Sequence, residues 1–324
     1  MISQLPLIAY FSHHKCATQW VMAILTDICA TTHLRLFEVS QMDTSDFANL
    51  RDLVRCFRPD VLAYYNAEIG QVKLLPPLRG FHVVRDPRDL IVSAYYSHLH
   101  SHRLDTWPGL AEHRRHLQAV DMSQGLLLEM EFSRRELVEI AEWDYHQPTV
   151  LEIRMEDLTA APLEEFTRIV EHLGFTHLPA SSLRERLGSL VAILFGRGRR
   201  LARRHLAGRA SLPGPALPAD LQPAAASASR PDPYRFYPLD GVWKHGLRCR
   251  SLTPDEVPAI VEQHDFAKKA GGRERGVEDR RNHYRKGVAG DWRNHFEPVH
   301  IDFFRRNYND LLLKLGYETD PRWA

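Results

Sequence analysis

Cysteine is scarce in this chain. There are four in 324 residues (Cys16, Cys29, Cys56 and Cys249), and no two stand at C-x-x-C spacing. That argues against a disulfide framework or a zinc site, and it fits a reducing compartment. Long apolar runs are missing too: nothing approaches the ~18 residues of a membrane span. The start of the chain lacks the basic residues and extended apolar stretch of a secretory leader, so the cytoplasm is the expected location. Net charge is almost nil, with 42 Lys and Arg against 41 Asp and Glu. Bulk attraction to nucleic acid or to a membrane surface is therefore not expected, and any anion must be held by a local cluster. The G-x-x-x-x-G-K-[ST] loop of triphosphate-binding proteins is also absent, as is a strand ending in a clear magnesium-binding aspartate.

Alternating short apolar runs and amphipathic stretches are what the chain does contain. Strands are expected at Leu5–Phe11, Leu34–Val39, Asp60–Tyr65, Gly80–Arg85 and Thr149–Ile153. Helical spacing marks Gln19–Ala30, Ser45–Phe57, Asp89–His100, Gln124–Tyr145, Pro162–Leu173 and Pro298–Leu315. Pro87 is suited to a first helical position, and Thr253-Pro254-Asp255-Glu256 reads as a capping box. Strands alternating with helices imply βα units and a mainly parallel sheet in a single α/β domain over residues 1–324. The pattern lapses across 178–233, which is rich in Ala, Pro, Arg and Ser and reads as an inserted flap.

Two strand-to-helix junctions carry chemistry. After the first strand comes Ser12-His13-His14-Lys15-Cys16-Ala17-Thr18-Gln19-Trp20. Small residues and one lysine ahead of a helix N-terminus outline a phosphate cradle. After the fourth strand comes Arg85-Asp86-Pro87-Arg88-Asp89, with Ser93 two turns into the helix. An arginine fork and a hydroxyl can share one phosphate, although the same run also reads as a salt-bridged cap. A third segment, Tyr284-Arg285-Lys286-Gly287-Val288-Ala289-Gly290-Asp291-Trp292, sets two cations before two glycines, which allow close approach of backbone to an anion.

With these three segments in this order, the chain resembles the sulfotransferases that use 3′-phosphoadenosine-5′-phosphosulfate (PAPS). Lys15, Thr18 and Trp20 match that family's PKSGTTW loop, Arg85 to Ser93 has the spacing of its 3′-phosphate motif, and residues 285–292 are similar to its RKGxxGDW loop. The resemblance covers Leu5 to Gly174 and Val261 to Gly316, and implies a P-loop-like three-layer fold with a central mainly parallel sheet. It implies that Lys15 and the backbone at Ala17, Thr18 and Gln19 hold the 5′-phosphosulfate. It also implies that Trp20 and Phe266 flank the adenine, and that Arg85, Ser93, Arg285, Lys286 and Gly287 hold the 3′-phosphate. Lys15 would stabilise the leaving phosphate, with no metal involved. The chain departs from the pattern at Ala17 and Gln19, which replace a glycine and a threonine, and at Met155, where many relatives carry an adenine-contacting tyrosine.

The acceptor, a hydroxyl or amine of a glycan, lipid, small molecule or protein tyrosine, is not legible here. Many relatives place a basic histidine where Asn66 stands; Glu68, two residues on, is the expected general base, with His14 and His98 as rivals. His98, His100 and His102 invite a metal reading. On an α-helix only His98 and His102 share a face, and no acid stands at H-E-x-x-H spacing, so no metal is expected. Six arginines and no acid occupy 197–209, a basic stretch that reads as a solvated helix or as a contact for an anionic acceptor or lipid surface. Two other classes stay open: a kinase-like phosphotransferase and a catalytically silent nucleotide-binding protein.

Overall fold

The computed structural model describes residues 6–40, 47–104, 107, 109–177, 234–237 and 249–323. The expected flap at 178–233, with its arginine-rich stretch, lies outside the described residues.

Five parallel strands form the sheet: β1 (Leu7–Ser12), β2 (Leu36–Val39), β3 (Val61–Tyr65), β4 (Leu78–Val84) and β5 (Val150–Arg154). An antiparallel strand, β6 (Tyr234–Tyr237), pairs with β2 at one edge, giving the order β5-β4-β1-β3-β2-β6. Alternation along the strands divides the interior in two. Ile8, Tyr10, Val61, Ala63, Phe81, Val83 and Ile153 face one core, shared with α1 (Thr18–Thr32) and α9 (Pro162–Leu173). Ala9, Phe11, Phe37, Val39, Leu62 and Tyr64 face the other, covered by α2 (Leu50–Phe57) and Trp143. A strand buried on both faces is apolar throughout, which explains why β1 and β3 show no polar alternation. The result is the α/β three-layer architecture with a mainly parallel sheet.

Between β3 and β5 the chain forms α3 (Ile69–Val72), α4 (Pro87–Tyr96), α5 (Leu110–Gln118), α6 (Met122–Phe132) and α7 (Arg134–Glu142). Then follow α8 (Met155–Ala160), α9, α10 (Glu256–Gln263), α11 (Phe266–Lys269) and α12 (Pro298–Lys314). Several boundaries differ from the sequence expectation. The long helix over Gln124–Tyr145 is two helices broken at Ser133 (φ −85°, ψ 14°), whose hydroxyl donates to Glu129 at 2.6 Å. The helix after β4 does not run on to His100; α4 gives way at Ser97–Ser101 to a π-helical turn, closed by the His102 amide on the Ser97 carbonyl. At the capping box the Glu256 carboxylate does reach back to the Thr253 amide, but the helix itself begins at Glu256.

β1 lies between β3 and β4, where successive connections depart in opposite directions. In open α/β sheets this is where the carboxyl ends of strands leave a crevice for ligands. The β1–β4 register pairs Ser12 with Val83, so the loops that carry Lys15 and Arg85 emerge side by side.

Candidate functional site

The lysine loop starts α1 without closing it. The residue before the helix is Ala17, whose side chain cannot cap, and the first turn contains no acid. The first amides of a helix have no intrahelical partner, so Thr18 and Gln19 present N–H groups and the positive end of a 15-residue dipole. Lys15 and Ala17 both take left-handed backbone angles, φ 62° and φ 58°. Such angles cost a residue with a Cβ about 1–2 kcal/mol, and Ala17 is where the resembling loop carries glycine. The loop is held shut from behind by the Cys16 amide on the His13 carbonyl and by a Ser12–Thr18 hydroxyl pair at 2.9 Å.

Arg85, at the end of β4, is buried and donates Nη1 to the Lys15 carbonyl at 3.2 Å. Burial, followed by the positive fields of Arg85 and Arg285, pushes the Lys15 ammonium down to about 7, against a raising influence from Glu129. Crowded cations of this kind are relieved by an anion placed among them.

Within 85–89 the salt-bridged cap falls on Asp86 and Arg88 and leaves Arg85 out. Asp86 caps α4 and takes the Arg88 guanidinium at 2.8 and 3.0 Å; Arg88 also pairs with Glu318 and is sandwiched between Trp292 (4.0 Å) and Trp323 (4.6 Å). Arg88 is therefore structural, whereas Arg85 is turned to the lysine loop. Asp89, fully buried, accepts the Gly290 amide at 2.6 Å and the Trp292 amide at 2.8 Å, which pins the third segment against α4. Ser93 is half-buried on α4.

Within that third segment, Arg285 donates to Asp291 at 2.6 Å and to Glu278, and lies over the Tyr96 ring. Lys286 donates to the other Asp291 oxygen at 2.5 Å. Asp291 also receives Asn294 and His295; despite its burial these donors hold its carboxyl far below the usual range. Both cations are thus orientated by one permanently ionised carboxylate. Gly287 (φ 69°) rests on the Phe266 ring so closely that an added Cβ would stand 2.5 Å from it. Gly287→Ala should accordingly cost about 1–3 kcal/mol, from the clash and the left-handed angle. Urea unfolding checks this; an unchanged midpoint would show that the Phe266 ring gives way freely.

Trp20 is buried, with its indole N–H on the His264 carbonyl at 2.8 Å and its ring edge-on to Phe166 at 5.6 Å. It ties α1 to the segment that carries Phe266. Met155 is half-buried at the start of α8.

The carboxylate of Glu68, the expected general base, pairs with Arg135 at 2.8 Å in a cleft of about 780 Å³ also lined by Gln71, Phe132 and Glu139. Asn66 occupies a left-handed turn (φ 54°) and donates to the Ser40 carbonyl. What stands beside Lys15 is a cluster that sequence spacing does not reveal. His14 and His98 meet Nε2 to Nε2 at 3.2 Å, and His98 Nδ1 lies 3.0 Å from both oxygens of the fully buried Glu129. Glu129 also accepts from His113 at 2.9 Å, and these imidazoles hold its carboxyl down to about 2 against the penalty of burial. Phe132, stacked on His113 at 3.9 Å, is the wall shared with the Glu68 cleft.

Glu136, on the next helix, is a buried carboxylate whose Oε2 has no partner. Burial, then the charge of Glu139, raises it to about 7. A carboxyl raised on folding binds more protons in the native state, so its stabilising contribution is complete below about pH 4.5 and is lost as pH climbs through 7. Glu136→Gln should therefore match wild type at pH 4.5 and exceed it by about 2–3 kcal/mol at pH 8. Parallel urea curves at both pH values would contradict this.

No helix among the described residues is long and apolar enough to cross a membrane, and Cys16, Cys29 and Cys56 are free thiols. No family model matches the chain, and no curated protein matches it. Among solved structures it is similar to the mouse sulfotransferase SULT7A1 complexed with PAP, at 12% identity over 97% of this chain and 88% of that one, with a TM-score of 0.46. It is also similar to retinol dehydratase in complex with androsterone and inactive cofactor PAP, at 14% identity over 99% and 84% of the two chains, TM-score 0.43. A second retinol dehydratase structure, with retinol and PAP, gives 13% identity over 100% and 85%, TM-score 0.42.

Proposed function

We propose that this protein is a PAPS-dependent sulfotransferase that moves the sulfonate group to a hydroxyl or amine of an acceptor. The observation that carries the reading is the meeting of Lys15 and Arg85 at the uncapped N-terminus of α1, faced by the Arg285–Lys286–Gly287 loop that Asp89 tethers. Anion-binding groups thus stand in two sets, as a nucleotide with phosphate at both its 3′ and 5′ positions requires. The open amides of Thr18 and Gln19, beside Lys15 and Ala17, suit the 5′-phosphosulfate. Arg85, Ser93, Arg285, Lys286 and Gly287 suit the 3′-phosphate, and Phe266 and Trp20 offer aromatic surface near the base.

In-line attack by the acceptor forms an oxygen–sulfur (or nitrogen–sulfur) bond and breaks the bond between sulfur and the bridging oxygen. Negative charge then grows on the 5′-phosphate of 3′,5′-ADP, where the Lys15 ammonium is placed to meet it. We place the acceptor in the neighbouring cleft, which Glu68 and Phe132 line together.

Calorimetric titration of the chain with 3′,5′-ADP, and separately with ATP and magnesium, tests the donor assignment. Tight binding of 3′,5′-ADP alone is expected; preference for ATP with magnesium would instead identify a phosphotransferase. Transfer of labelled sulfonate from PAPS to a panel of hydroxylated acceptors then separates an enzyme from a silent binding protein.

A further inference from the structure

Three imidazoles from two distant segments converge beside Lys15. His14 comes from the lysine loop, and His98 and His102 from the π-helical turn and the residue that follows it. Their ring centroids are 5.2 Å (His14–His98), 5.3 Å (His98–His102) and 5.4 Å (His14–His102) apart. One nitrogen of each lies within 4.8 Å of those of the other two. The shortest separation, Nε2 to Nε2 of His14 and His98, is 3.2 Å.

Two explanations compete for that contact: a shared proton or a shared ion. Metal–nitrogen bonds of about 2.0–2.1 Å in tetrahedral geometry place ligand nitrogens about 3.3–3.4 Å apart and imidazole centroids about 5.2 Å apart. A straight N–H···N bond of the observed length would hold the centroids farther apart, at about 5.5 Å. A hydrogen-bonded pair also gives no reason for a third imidazole at the same distance from both. Near-equality of the three separations is what ligands around one centre produce.

The surroundings favour the same answer. Glu129 takes the Nδ1 proton of His98 between its two oxygens, which fixes the tautomer and turns the Nε2 lone pair toward His14. A buried carboxylate behind a ligating histidine is the usual outer support of a metal site. Glu129 is itself held by His113 and by the Ser133 hydroxyl, so the support is rigid, and its charge offsets the cation at Lys15. Trp107 packs edge-on to His14 (4.9 Å) and His98 (5.1 Å) and shields one side.

We propose that His14, His98 and His102 bind one divalent transition-metal ion, zinc by ligand type, with Glu129 as the orienting carboxylate. Three protein ligands leave a fourth position for water or an oxygen of a substrate. The site stands on geometry alone; the idea that the fourth position takes the acceptor oxygen rests on the sulfotransferase reading.

The test uses the full chain with any affinity tag removed, dialysed against zinc and then against metal-free buffer. Elemental analysis should give about one zinc per chain. Cobalt exchange should give the intense visible bands of a four-coordinate ion. Both signals should fall at least tenfold in His102→Ala and in His14→Gln, whereas His100→Ala, exposed on the same turn, should keep them. Thermal melts on each variant confirm folding, and 3′,5′-ADP titration on the same samples reports the donor site independently. A wild-type chain that binds 3′,5′-ADP but no metal overturns this proposal alone and assigns the His14–His98 contact to a shared proton. A chain that binds metal but not 3′,5′-ADP overturns the donor assignment instead. Zinc retained in full by both folded histidine variants would also refute the site.

Discussion

Lys15→Met should slow sulfonate transfer by about 10²–10³-fold, the range seen when one preorganised donor is taken from a developing oxyanion. The ammonium is set among guanidiniums at the open N-terminus of α1. Methionine keeps most of the volume and removes the charge. The loss should appear mainly in kcat, because Arg85, Arg285, Lys286 and the helix amides still hold the nucleotide. Single-turnover rates with labelled PAPS, alongside 3′,5′-ADP affinity, separate the two contributions. Near wild-type turnover would take Lys15 out of the reaction; an equal fall in affinity and rate would make it a binding residue only.

The second large effect is expected at a residue that touches no ligand in this reading. Asp89 accepts the amides of Gly290 and Trp292 from within a fully buried position, although burial works against its ionisation. Asp89→Ala leaves both amides without a partner, at about 1–3 kcal/mol for each buried unsatisfied group. A total loss of about 2–5 kcal/mol is expected, together with release of the loop that carries Arg285 and Lys286. Affinity for 3′,5′-ADP should drop at least tenfold. Asp89→Asn, which keeps one acceptor oxygen, should recover part of both. Urea unfolding and calorimetry on the two variants check this; an intact affinity in a folded Asp89→Ala chain would show that the loop is positioned by other contacts.

What could be read from the sequence follows from locality. Lys15, Arg85 and the 285–287 run each sit at a junction whose composition is visible within ten residues. The parallel strands announce themselves by apolar runs between helical stretches. Asp89 was visible only as half of a charged cap, because its true partners lie 201 and 203 positions away. Likewise, the His14–His98–Glu129 group joins residues separated by 84 and 31 positions, and its assembly depends on a π-helical turn that helical periodicity does not encode. Glu68 stands out by its place after β3, whereas its pairing with Arg135, 67 positions away, is not visible in the sequence. The break at Ser133 was hidden because both halves keep helical spacing and the hydroxyl that turns inward has its reason in buried Glu129.

The clasp of Asp89 on residues 290 and 292, reinforced by Arg88 between Trp292 and Trp323, has a consequence for biosynthesis. At about 5–20 residues per second, a ribosome needs roughly 15–55 s to travel from the N-terminal cation to the wall that opposes it. Throughout that interval the lysine loop and the start of α1 lack the loop of residues 285–292. A polypeptide cut short before Gly290 would lack both partners of Asp89 and also the core residues Phe304, Leu311, Leu312 and Leu315.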